Sequence, residues 1–401
     1  AFTPVCVEFP GADQIFHAGP GSVAVPGNLS GLLAAHAAWG RLPLAGVVSP
    51  AIQLAFVGSP LEPLQAVVLG LVREIMLLTP ECEALIQSNG TLAEPGDVVA
   101  NPDLAGVLQL IADGEITSFA NPFLADRLLG LIQGAGGIMT MADLRNYQPI
   151  LRKPVLLQRG EAQIALNPPP AFGGAIVADA ITHTPELDDS PQAWEWVVKA
   201  LRNATDQHRA HGSESVSASK GTTHISVTDA EGQVVSLTTS NGSGSGVVIP
   251  QTGIHLNNML GEADLNPAGF HGQVAGTRMS SMMSPCIVQD SHGTVTGLGT
   301  GGSERIRSTL SATLLRLIDL GKPLDRAIAD PRMHPETDTV QVEPGWPEET
   351  LSHLAQNHNL NPWPSANLFF GGVHAVSRHA DGSVIAVGDS RRAGAVGIVE
   401  P

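Results

Sequence analysis

The chain has 401 residues, 43% of them apolar and 15% charged. This is the composition of a folded soluble protein longer than the size at which one core usually stops growing. With 38 acidic residues against 21 basic ones it carries −17 at neutral pH, which excludes the basic face that a nucleic acid or an anionic membrane would need.

The first half reads as mainly helical. Apolar residues at helical spacing predict helices over residues 32–39, 51–57 and 64–78, the first stopped by Gly40. The longest apolar run, residues 66–78, is broken by Arg73 and Glu74 and is too short to cross a bilayer. Asn101-Pro102-Asp103 has the order of an N-cap followed by proline at the first helical position, and predicts a helix to Ala112. Another helix covers residues 122–133 and stops at Gly134-Ala135-Gly136-Gly137. A strand over 163–166 leads through the rigid Asn167-Pro168-Pro169-Pro170 into a helix over 175–181. A helix over 194–211 ends in the serine-rich residues 212–220, the kind of exposed segment where chains tolerate scission. No basic and apolar leader pattern opens the sequence, which leaves the compartment open between cytoplasm and periplasm.

From Thr222 the pattern changes to strands, expected over 223–229, 233–240, 253–258, 285–289 and 294–299. A helix over 306–320 carries Leu310, Leu314, Leu317 and Ile318 on one face and stops at Gly321. Strands return over 372–377 and 383–388. Helix-rich and strand-rich blocks in one chain predict sheets covered by helices.

The run Gly221-Thr222-Thr223-His224 opens the first of these strands. Cutting the bond before Thr222 would give that threonine a free α-amine beside its hydroxyl. An α-amine has a pKa of about 7.7–8.0, close enough to neutrality to act as a general base, so the residue would be a self-contained nucleophile. Threonine is also a common strand residue, so the surroundings carry the weight. Asn241-Gly242-Ser243-Gly244-Ser245-Gly246 follows the second strand. It lacks the ending of a phosphate loop and the serine of a nucleophile elbow. Gly299-Thr300-Gly301-Gly302-Ser303 precedes the 306–320 helix, where backbone N–H groups can hold an oxyanion. His208 and His211 read as a solvated helix face, and Arg391-Arg392 as a salt-bridged or surface pair. Cys6, Cys82 and Cys286 match no metal or disulfide spacing. No metal and no cofactor are expected.

The order G-T-T-H-x-S-V-x-D, T-x-N-G-x-G-S-G, L-N-N-M-L-G-E, R-M-S-S-M-M-S-P and G-T-G-G-S-x-R-I resembles the γ-glutamyltranspeptidase family of N-terminal-nucleophile hydrolases. Residues 19–27, Asn167-Pro168-Pro169-Pro170 with Gly173-Gly174, and Gly136-Gly137-Ile138-Met139-Thr140 with Asp143, Leu144 and Tyr147 are similar to its large-subunit landmarks. The resemblance implies a four-layer αββα sandwich and a precursor that cuts its own Gly221–Thr222 bond into residues 1–221 and 222–401. It implies Thr222 as nucleophile, Thr239 as the helper hydroxyl bonded to it, and Gly301 and Gly302 as the oxyanion hole. Asn241, Glu262 and Ser281 are the implied substrate contacts, and a γ-glutamyl amide such as glutathione the implied substrate.

The family's arginine for the glutamyl α-carboxylate, in a D-F-R-E-type run, has its nearest counterpart in Val7-Glu8-Phe9-Pro10-Gly11, with Pro10 in its place. A guanidinium fork is hard to replace at a carboxylate. The serine pair of the family is reduced to Ser281, followed by Met282. Two other readings therefore stay open. One keeps the threonine chemistry on a non-glutamyl amide or on a carbon–carbon bond next to a carbonyl. The other is an uncut, non-catalytic relative with a binding role.

Overall fold

The computed structural model describes residues 2–9, 12–209, 221–266, 269–270 and 272–399. It forms two compact units: Ala1–Leu151 with Asn241–Ala263 and Phe270–Thr277, and Arg152–Ser240 with Asp264–Gly269 and Arg278–Pro401.

The first unit is mostly helical. Its helix Pro122–Gly134 buries Leu124, Leu128 and Ile132, four residues apart, against Val247 and Ile249, the stripe that a one-faced helix requires. Asn101 caps the helix Pro102–Ala112 by accepting from the Leu104 N–H at 3.0 Å, as its sequence predicts. The helix expected over 64–78 is two helices, Pro63–Leu71 and Arg73–Met76, broken at Val72. An antiparallel hairpin, Thr3–Phe9 with Ala12–Ala18, goes beyond the sequence reading and buries Val5, Val7 and Phe16 on Ile75, Met76 and Cys82. The expected strand over 253–258 shrinks to Ile254–His255. Helices Asn28–Trp39 and Leu44–Val57 bury no residue.

The main elements of the second unit are β1 (Val155–Arg159), β2 (Ala162–Leu166), α1 (Phe172–His183) and α2 (Pro191–Arg209). They continue with β3 (Thr222–Thr228), β4 (Val234–Ser240), β5 (Cys286–Gln289) and β6 (Val295–Gly301). Last come α3 (Arg305–Ile318), β7 (Gly372–Arg378) and β8 (Val384–Gly388). Six strands make an antiparallel sheet in the order β8-β7-β6-β5-β2-β1. The helices α1, α2 and α3 cover one face, where Ile176, Trp194, Leu201, Leu310 and Leu314 pack on Ile164, Leu166 and Leu298. The β3–β4 hairpin lies on the other face, giving the layer sequence helix, sheet, sheet.

Glycine decides how close that hairpin comes. Along β6 the residues facing it are Gly297, Gly299 and Gly301, while Leu298 points into the helical core. A Cβ on Gly297 would lie 2.8 Å from Val234, one on Gly299 would strike the His224 ring, and one on Gly301 would strike the Thr222 carbonyl oxygen. Apart from Val234, the hairpin face turned to this stripe is polar: Thr222, His224 and Ser226 from β3, and Ser236, Thr238 and Ser240 from β4. Apolar Ile225, Val227 and Val235 point outward and are half exposed. The sequence alternation showed the period but not which face turns inward.

His224 is the most enclosed polar group of this layer. Its Nδ1 pairs with Thr238 Oγ1 at 2.8 Å and its Nε2 with Ser226 Oγ at 2.9 Å. Burial, with His374 nearby, lowers its pKa from 6.5 to about 3, so the imidazole is neutral at pH 7.

Gly299→Ala forces a methyl into the His224 ring, and is expected to cost about 1–3 kcal/mol of unfolding free energy by chemical denaturation. The His224 shift has a definite sign. Between pH 6.5 and about 3 the unfolded chain takes up a proton that the folded His224 refuses. Its contribution is therefore intact above pH 6.5 and is lost as pH falls, at no more than about 1.4 kcal/mol per pH unit. Denaturation curves at pH 7, 6, 5 and 4 should show this slope, and His224→Gln should reduce it by one proton's worth.

Candidate active site

Thr222 is the first residue of β3 and directly follows the exposed Gly221. It is 7% exposed. The hairpin register opposes Thr222 to Ser240 and Thr223 to Thr239. Because side chains alternate across a strand, Thr222 and Ser240 share the buried face, and Thr222 Oγ1 donates to Ser240 Oγ at 3.0 Å. Thr239 lies with Thr223 on the opposite, exposed face. This corrects the expected helper: the hydroxyl that meets Thr222 belongs to Ser240. Counting outward from the turn at Ala230-Glu231-Gly232, rather than matching threonine for threonine, would have found it.

Facing the Thr222 main chain across the layer is Gly301, the last residue of β6, which Gly302 follows in the chain. Gly302 takes φ 127, and Ser303 after it is held at φ 52, a left-handed conformation unusual for a residue with a side chain. Such strain persists where the surroundings over-determine it, and clusters at functional sites. The turn delivers the chain to the start of α3 at Arg305, so the glycine pair sits one turn ahead of the positive end of a helix dipole.

Arg391 and Arg392 separate in space. Arg391 is fully committed: its Nε and Nη2 donate to the two Glu343 oxygens at 2.7 Å each, and it also pairs with Asp389. Asp389 is bonded in turn to the buried Arg332. Arg392 instead lies beside Gly301 and Gly302. The sequence reading of a salt-bridged or surface pair describes Arg391 and misses Arg392, because adjacent residues of the short 3-10 helix Ser390–Arg392 point in different directions.

In the same unit, Ser281 is half-buried. Its Oγ accepts from the Met283 N–H at 3.0 Å and its carbonyl from the Gly173 N–H at 3.3 Å. Asn167 Nδ2 donates to the Met283 carbonyl at 2.7 Å, so the proline-rich loop and the R-M-S-S-M-M-S-P run pack together. His208 pairs with Asp179 at 2.9 Å. His211, residues 212–220 and Pro10 lie outside the described residues.

The first unit carries Asn241 and Glu262. Asn241 is exposed. The glycine-rich loop after it is fixed from below: Asn258 Nδ2 donates to Ser243 Oγ at 2.6 Å, and the Ser243 N–H donates to Asn258 Oδ1 at 2.8 Å. Ser243 Oγ donates to Glu262 Oε1 at 3.1 Å. Asn257 grips both the N–H and the carbonyl of Ala24 at 3.0 Å. The L-N-N-M-L-G-E run is thus the clasp that holds the loop and residues 19–27, and Glu262, 1% exposed, belongs to that clasp.

Among the described residues no cluster of His, Cys, Asp and Glu has the arrangement of a metal site, and no helix is long and apolar enough to cross a membrane. Within the second unit a strand-leading threonine hydroxyl meets a partner serine hydroxyl, and the main chain of that threonine lies against the first glycine of a pair that leads towards a helix N-terminus. This arrangement suits acyl transfer through a covalent ester.

Comparison with known proteins agrees. The family model described as gamma-glutamyltranspeptidase matches residues 5–211 and 198–399. The chain is 27% identical to the glutathione hydrolase proenzyme of Bacillus subtilis (strain 168), covering 93% of this chain and 74% of that protein. It is 28% identical to the acylase ACY 1 proenzyme of Pseudomonas sp. (strain SE83), covering 91% and 73%, and 28% identical to scoloptoxin SSD14 of Scolopendra dehaani, covering 97% and 78%. The solved structure of cephalosporin acylase from Bacillus halodurans superposes with a TM-score of 0.81 over 99% of this chain and 86% of that one, at 21% identity, which shows a shared fold. The chain belongs to the γ-glutamyltranspeptidase family, with its N-terminal-nucleophile hydrolase fold, and is an amidohydrolase or acyltransferase of that kind.

Proposed function

We propose that the chain is made as a precursor, that Thr222 cuts the Gly221–Thr222 bond into fragments 1–221 and 222–401, and that the same threonine then turns over amide substrates. The observation that carries this reading is the buried Thr222 hydroxyl, hydrogen-bonded to Ser240 at the head of a strand that faces Gly301.

In the first reaction Thr222 Oγ attacks the Gly221 carbonyl carbon, and its proton passes to the departing Thr222 nitrogen. Water hydrolyses the resulting ester and leaves a free α-amine. In turnover that amine, with a pKa near 7.7–8.0 when unperturbed, takes the Thr222 hydroxyl proton as the oxygen attacks the substrate carbonyl. The tetrahedral oxygen carries the negative charge next to Gly301 and Gly302, whose lack of side chains lets backbone donors approach it. Collapse passes the proton to the leaving amine and leaves an acyl ester on Thr222, which water or the amine of an amino acid then takes. Ser240 orients the nucleophile. Asn241 and Ser281 are assigned to the substrate, and Glu262 acts through the loop it anchors.

The substrate proposed first is a γ-glutamyl amide such as glutathione, consistent with the relatives named glutathione hydrolase. A second reading, another acyl amide, is favoured by Pro10 in the place of the family's arginine and by the acylase among the relatives, 28% identical against 27% for the glutathione hydrolase.

Intact mass under denaturing conditions should give two species divided at Gly221–Thr222 for the wild type and one uncut chain for Thr222→Ala. An uncut wild type would remove the catalytic reading. Ser240→Ala should slow self-cleavage and turnover by about 10-fold, the worth of one hydrogen bond to a reacting group, with Thr239→Ala close to wild type. Processed enzyme should hydrolyse a γ-glutamyl anilide. No turnover of it, together with turnover of a non-glutamyl acyl anilide, would select the second reading.

A further inference from the structure

We infer that His255 is a positioning residue for the substrate loop: it holds the glycine-rich run 241–246 so that Asn241 meets the substrate in one conformation. This rests on the reading of Thr222 as nucleophile and Asn241 as substrate contact, and it adds to that site a residue which spacing and resemblance passed over.

The need for such a residue comes from an irregularity in the pairing. The Ser245 N–H donates to the Leu256 carbonyl at 2.9 Å, and the Leu256 N–H donates to the Val247 carbonyl at 2.9 Å. Leu256 thus bonds to both neighbours of Gly246, and Gly246 is the extra residue of a bulge, left without a partner in the ladder. It is buried, and a buried N–H must find an acceptor. His255 supplies one: the Gly246 N–H donates to its Nε2 at 3.0 Å. The same ring lies against Gly244, which takes φ 86 and whose added Cβ would stand 2.3 Å from the His255 Cε1. The Gly246 carbonyl accepts from Thr79 Oγ1 at 2.8 Å, so both main-chain groups at the end of the loop are held.

The start of the loop is held by the same segment. The Asn258 N–H donates to the Asn241 carbonyl at 3.2 Å, and Asn258 Oδ1 accepts from the Ser243 N–H at 2.8 Å. Between these anchors Gly242, Gly244 and Gly246 take φ 67, 86 and 69, and glycine has the most conformational freedom to lose. Asn241 directly follows Ser240, the residue bonded to Thr222. Its carbonyl is fixed while its side chain is exposed. An amide presented from a glycine-rich run gains from a frame that is ordered before the substrate arrives. Burial pushes the His255 pKa from 6.5 down to about 4. The ring is therefore neutral at pH 7, with its proton on Nδ1 and Nε2 open to accept.

The test compares processed wild type with two variants. His255→Phe keeps a ring against Gly244 without the acceptor, and His255→Gln offers an amide oxygen in place of Nε2. Self-cleavage at Gly221–Thr222, read by mass, reports fold and nucleophile in each. On the anilide that wild type turns over, His255→Phe should raise KM about 10-fold with kcat within about threefold, and His255→Gln should return KM to within about threefold of wild type. Added to Asn241→Ala, His255→Phe should cost little more, because the two act through one loop. KM unmoved by His255→Phe, an equal loss in His255→Gln, or additive losses in the double variant would each overturn the assignment. If the Phe variant does not process, the Gln variant carries the kinetic test, and a KM more than about threefold above wild type overturns the assignment. Amide hydrogen exchange of the loop gives a readout independent of turnover. The Gly246 N–H should exchange faster in His255→Phe and regain protection in His255→Gln. If no anilide is turned over, the substrate reading fails by itself. Faster Gly246 exchange in His255→Phe then still upholds the anchor, and unchanged exchange overturns it.

Discussion

The second unit depends on the close approach of β3 to β6, which glycine at every second position of β6 permits. Any side chain at 297, 299 or 301 would meet Val234, His224 or the Thr222 main chain. The stripe does two things at once. It allows a polar hairpin face to bury its hydroxyls and imidazole in contact with backbone, where each finds a partner, as buried polar groups must. It also brings the Thr222 main chain to the end of β6, where the chain turns through Gly302 towards α3. Thr222 and Gly301 are therefore set by one packing contact rather than by two separate loops.

A second framework, of buried charges, surrounds that contact. Arg332, Asp389, Arg391 and Glu343 form a chain of ion pairs in which each guanidinium also donates to backbone carbonyls, Arg332 to those of Ile328, Phe370 and Gly371. Buried ion pairs are a weak source of net stability, because desolvation offsets much of their attraction. What they do here is fix position. They tie the turn after β8 to the loop before β7, and so hold Arg392 across Gly372 and beside Gly301 and Gly302. Arg316, equally buried, donates to the Pro331 carbonyl at 2.5 Å, lies over Trp194 at 4.9 Å and stands 3.9 Å from Asp330.

In the first unit the motif residues serve mostly as clasps. Asn257 bonds to Ala24, and Asn258 and Glu262 bond to Ser243. A conspicuous polar run in a sequence can thus be a device for holding another run, and the two uses look alike until the partners are seen. The same holds for Asn167, whose amide is bonded to the Met283 carbonyl.

Much was legible in the chain itself, wherever the signal is local. The capped helix at Asn101, the stripe of Leu124, Leu128 and Ile132, the hairpin around Ala230-Glu231-Gly232 and the long helix after Ser303 all follow from spacing, caps and turn residues that act within a few positions. The Gly-Thr-Thr-His run and the glycine pair likewise singled out Thr222 and Gly301, which the fold places against each other. Tertiary structure alone decided the rest, since these outcomes depend on what stands opposite. Alternation told that β3 and β4 have two faces, but only the glycine stripe of β6 determined that the polar one turns inward. Register, not residue type, gave Ser240 rather than Thr239 to Thr222. And two adjacent arginines, indistinguishable by composition, were given different partners by the fold: Arg391 pairs with Glu343 and Asp389, while Arg392 donates to the Leu368 carbonyl.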